Sequence, residues 1–122
     1  MATQKEHISK ADNNASFAKS LELKSQVNID WALTALFYSG VHYVDAYLEK
    51  IGSLPHMHDT HGKRDKLVVL DSNLNKIRNE YFDLKNFGIA ARYYCRATKA
   101  EKVTKEAIPA LEKLKAHLKE IM

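Results

Sequence analysis

The 122-residue chain is poor in several residue types, and each shortage narrows the field. There is one cysteine, Cys95, so no intramolecular disulfide can form, and a reducing cytoplasm is the expected compartment. Glycine (4) and proline (2) are sparse, and no Val/Ile/Thr-rich alternating run occurs, which argues against β architecture. The start, MATQKEHISKADNN, contains no apolar core of a secretory signal. The longest uncharged stretch, Trp31 to Val44, is too short and too polar to cross a bilayer, so no membrane association is expected.

What remains abundant is alanine, leucine and lysine, the composition of an all-α protein long enough to bury its own core. The formal charge of +4 is uneven: Arg96 to Met122 holds seven basic and four acidic residues, a net +3. Such a surface suits phosphates or anionic partners, although the interspersed acids also fit a solvated helix face.

Hydrophobic periodicity predicts four helical segments forming one domain over residues 1–122. The first spans about Thr3 to Leu23, with Ile8, Ala11, Ala15, Ala18 and Leu21 on one stripe. The second spans about Ile29 to Ile51, with Asn28 as N-cap and Gly52 as C-cap. It is apolar nearly all round, which predicts burial on more than one side and a dimer to cover the surplus. The third runs from an Asp59 or Thr60 cap to about Tyr94, with Asp71-Ser72-Asn73 and Gly88 as weak points. The fourth runs from about Lys99 to Ile121, with Pro109 expected to kink or restart it. Amphipathic helices with short connections predict an up-and-down four-helix bundle.

Chemistry-bearing residues concentrate between Tyr38 and Arg64. His42 lies four residues after Tyr38 and three before Asp45, so the three share one side of a helix. It either lines a polar pocket or is a core histidine satisfied by a hydrogen bond. His56, His58 and His61, with Asp59 and Asp65, supply metal-type donors, but H-x-H-x-x-H is not a diagnostic zinc spacing. No metal and no cofactor is expected from them. His61 and Arg64, three apart at a helix start, can converge on one anion, with the arginine fork and the helix N-terminus both favouring phosphate. Alternatively Arg64 pairs with Asp65 or Asp45 and orders the end of the bundle. Arg92, Tyr93, Tyr94 and Arg96 combine charge with rings, as single-stranded RNA binders do, or are half-buried packing residues. Cys95 is expected to be structural.

The segments WALTALFYSGVHYVDAYL and PHMHDTHGKRDKLV, followed by Tyr81–Leu84 and ARYY, resemble prokaryotic HEPN domains over about Ala11 to Arg96. The resemblance is to small stand-alone members with a histidine in the second helix and H-x-x-R opening the third. It implies a dimerising four-helix bundle connected to RNA processing, nucleotide binding, or toxin–antitoxin and defence systems. Partners would then be a second copy, a nucleotide or RNA, and a cognate nucleotidyltransferase or antitoxin. Many such domains are ribonucleases built on R-x(4–6)-H. This chain departs from that motif, because no histidine lies five to seven positions after Arg64, Arg78, Arg92 or Arg96. The expectation is therefore a binding module using His42, His58, His61, Arg64 and Tyr38. A divergent ribonuclease with His61 and Arg64 as its catalytic pair, or a non-catalytic dimerisation protein, are the alternatives.

Overall fold

A computed structural model describes residues 2–122. Five α-helices pack together, and no strand occurs among the described residues: α1 (Gln4–Ser20), α2 (Gln26–Lys50), α3 (His61–Leu70), α4 (Arg78–Tyr93) and α5 (Ile108–Ile121). Short 3₁₀ turns, Pro55–Met57 and Leu74–Ile77, precede α3 and α4, and a π-helical turn, Lys102–Ala107, leads into α5.

Local chemistry explains the boundaries. A reciprocal capping box starts α1: the Thr3 hydroxyl accepts from Glu6 N–H at 3.1 Å, and the Glu6 carboxylate accepts from Thr3 N–H at 3.0 Å. That helix ends at Ser20, short of the Leu23 expected from periodicity. Helix α2 begins earlier than expected. Ser25, not Asn28, is the N-cap, while the Asn28 side chain donates to the Glu22 carbonyl and braces the preceding turn. Thr60, the second of the two expected caps, caps α3 through Lys63 N–H at 3.2 Å, and Asp59 instead pairs with Lys63.

The predicted third segment divides in two. Asp71 ends α3 and accepts from Asn73 and Leu74 N–H at 2.9 and 3.0 Å, an Asx turn that competes with helix continuation. Tyr47 donates its hydroxyl to the same carboxylate, so the break is anchored to α2. Gly88 does not interrupt α4; it is a contact point, where an added Cβ would stand 3.0 Å from the Phe37 Cβ. Pro109 marks a restart, one of the two outcomes expected of it, and stands in the first turn of α5, which begins at Ile108. Ile108 N–H reaches back to the Val103 carbonyl, a five-residue spacing that widens the turn around the proline ring.

Helix α2 is the hub, touching α1, α4 and α5. Leu33, Leu36, Phe37, Tyr43, Val44 and Leu48 are fully buried, each aliphatic or aromatic side chain contributing about 1.5–3 kcal/mol. Alanines at 11, 15 and 18 let α1 approach closely, and the buried Ser39 hydroxyl donates to the Ala11 carbonyl at 2.7 Å. One line of α2 stays uncovered: Trp31, Ala35, Tyr38 and His42, spaced to share a face, run between α1 and α4.

Candidate functional site

The expected H-x-x-R pair opens α3 as anticipated, with the His61 Nδ1 3.3 Å from an Arg64 Nη1. Arg64, however, is 7% exposed and committed to the interior. Its Nε donates to Asp45 Oδ1 at 2.8 Å, and one Nη donates to Asp45 Oδ2 at 3.0 Å and to the His58 carbonyl at 3.0 Å. Burial works against the charged guanidinium, but pairing with Asp45 outweighs it and raises the Arg64 pKa. Of the two sequence readings of Arg64, the structural pairing with Asp45 is the one realised. Arg64 therefore fixes the start of α3 against α2 and holds His61 in place.

The three loop histidines do not converge. His58 is buried, with its ring nitrogen 3.3 Å from the Ser53 hydroxyl, while His56 is exposed. His61 instead lies over the rings of Phe37 and Tyr38, with centroids 5.5 and 6.3 Å away. Burial first, then the charges of Arg64 and Lys85, lower the His61 pKa, so its imidazole is neutral at neutral pH.

Tyr38 connects this group to a larger surface. The Arg92 guanidinium, from α4, lies 5.6 Å from the Phe37 ring centre, 5.4 Å from Tyr38 and 5.5 Å from Tyr93. Its Nη1 is buried and lacks a hydrogen-bond partner among the described residues. Beside it is a cavity of about 290 Å³ lined by Val27, Asp30, Trp31, Thr34, Ala91 and Arg92. A second cavity, about 350 Å³, borders Lys10, Phe17, Trp31, Tyr38 and His42. Trp31 and Thr34 line both, and the Trp31 side chain is 58% exposed. The one acid in the first cavity, Asp30, accepts from the Gln26 amide at 2.8 Å.

His42 and Tyr38 border the second cavity, and His42 is also engaged by a hydrogen bond, its Nδ1 3.1 Å from that of His7, while Asp45 beside them is buried. Burial, followed by the nearby His7, lowers the His42 pKa. Tyr93 and Tyr94 are exposed, not half-buried as a packing role would have them, and Cys95 is exposed as well. Sequence reasoning missed Trp31, Lys10 and His7. For Trp31 a signal existed: Trp31, Tyr38 and His42 form an amphipathic line on a helix otherwise apolar all round.

No protein-family model, curated protein or solved structure matches the chain. No helix among the described residues is long and apolar enough to cross a membrane.

Proposed function

We propose that the chain is a binding module for nucleotides or single-stranded RNA, with the α2 groove as its site. The observation that carries the reading is Arg92: a partly exposed arginine whose guanidinium is stacked among rings at the edge of a cavity whose other wall is an exposed tryptophan. Exposed rings stack bases without demanding a sequence, and a nearby guanidinium takes the phosphate. Lys10 and the neutral imidazole of His42 border the groove on the α1 side, and His61 lies against the Tyr38 ring. Arg64 supports this site from behind rather than touching phosphate, because Asp45 engages its fork. That favours binding over cleavage by a His61–Arg64 pair.

The finer assignment, a HEPN-like up-and-down four-helix bundle that dimerises and serves beside an antitoxin or nucleotidyltransferase, rests on the residues that resemble that family. A dimer gains support from Leu54 and Leu70, both more than half exposed and outside the α2 groove. The test is titration of a fluorescein-labelled RNA oligonucleotide followed by anisotropy. Saturable binding that weakens with added salt and with Arg92→Ala supports the reading, and no binding to the wild type defeats it.

A further inference from the structure

A second cluster borders the groove and shares His42 with it. His7 on α1 and His42 on α2 bring their Nδ1 atoms to 3.1 Å, with ring centres 5.3 Å apart. Asp45, one turn further along α2, joins them, and one ligand atom from each of the three lies within 4.8 Å of the other two. Among the described residues this is the one group of three such side chains so placed.

We propose that His7, His42 and Asp45 bind a divalent first-row metal ion of the zinc class, with a fourth position open. Two nitrogens on one zinc at about 2.0–2.1 Å stand roughly 3.3 Å apart in a tetrahedral site, close to the spacing seen here. A mixed imidazole and carboxylate set matches zinc, cobalt or nickel better than calcium or magnesium. Rigid placement favours the site. His42 and Asp45 share one buried helix, and the Ser39 hydroxyl on the Ala11 carbonyl ties α1 against it one turn beyond His7. Arg64 already engages both Asp45 oxygens, but each oxygen keeps a lone pair, and the guanidinium orients the carboxylate as outer partners of metal ligands commonly do.

The competing account is a plain hydrogen bond, one histidine donating its Nδ1 proton to the other. That account gives Asp45 no part in the cluster. Positive charge on Lys10 and Arg64 faces His42 and opposes a cation, while Asp45 offsets it. His42's lowered pKa, set first by burial and then by His7, keeps its lone pair available at neutral pH.

The test is isothermal titration of untagged, chelator-stripped protein with zinc chloride, in the absence of any nucleotide. The result expected is one zinc per chain with micromolar or tighter affinity, weakened at least about tenfold by His7→Ala and by His42→Ala. His56→Ala, in the exposed loop histidine group, leaves the affinity unchanged. His7 is only partly buried near the start of α1, so its variant stays folded, which a far-ultraviolet spectrum checks. Absence of saturable one-to-one binding, or binding that survives His7→Ala and disappears with His56→Ala, overturns the site. Because no nucleotide is present, either outcome leaves the groove reading to its own experiment.

Discussion

Arg64 and Asp45 form a two-pronged ion pair between α3 and α2, with contacts of 2.8 and 3.0 Å and both side chains under a tenth exposed. The pair explains why the H-x-x-R element is where it is. The carboxylate lies one turn beyond His42 on the buried side of the central helix, and the arginine reaches it from the first turn of α3. Removing one partner strands the other charge in a low-dielectric interior. Arg64→Met should therefore cost about 3–5 kcal/mol in urea denaturation. The double variant Arg64→Met with Asp45→Leu should recover a large part of that loss. A single variant as stable as the wild type would show that the pair is not buried in solution.

Much of the fold was legible in the amino-acid sequence. The stripes of α1 and α2, the loop at Pro55 and the Thr60 cap follow from spacing and capping chemistry. What spacing alone left open was competition between local hydrogen bonds and helix. Asp71 wins at the end of α3 because Tyr47 also holds its carboxylate, a tertiary contact that no local pattern carries. At Pro109 the restart expected from the sequence occurs, because a proline in the first turn of α5 lacks an N–H that the helix does not use. The π turn before it lies beyond what spacing reveals. The candidate site was half legible. His42, Tyr38, His61 and Arg64 stand near one another, yet Asp45 chooses between anion binding and internal pairing for Arg64. That choice depends on α2 being the hub.

The two helical glycines with opposite surroundings give a packing prediction. Gly88 faces Phe37, where an added Cβ would meet heavy atoms at 3.0 and 3.1 Å, whereas Gly62 has nothing within 4 Å. Gly88→Val forces α4 away from α2 and should cost about 1–3 kcal/mol. Gly62→Ala, in the exposed first turn of α3, should add about 0.5–1 kcal/mol. Thermal melting of both variants checks the pair, and a neutral Gly88→Val would contradict the close approach of α4.

Acid should weaken the fold through the histidines before it reaches the carboxylates. Burial holds the pKa of His42 and of His61 below the ordinary 6.5. The unfolded chain therefore binds more protons in the window from 6.5 down to the lowered folded values. The stability that these two histidines contribute is present above pH 6.5 and falls as pH drops through that window. Urea midpoints measured in chelator at pH 7.5 and pH 5.5 should show the loss. In the double variant His42→Gln with His61→Gln the difference between the two pH values should shrink. An unchanged difference would mean that other groups carry the pH dependence.

Trp31 is the one tryptophan in the chain and stands at the wall shared by both groove cavities, so its emission, excited at a wavelength where nucleotides do not absorb, reads the proposed site directly. Stacking of a base on the indole should quench that emission saturably as single-stranded RNA is added. Arg92→Ala should weaken the affinity by about 1.5–3 kcal/mol, the range for a hydrogen bond to a charged group, while leaving the starting spectrum unchanged. Emission that stays constant through saturating RNA, with Trp31 still exposed, would contradict the assignment of the α2 groove as a nucleotide or RNA site.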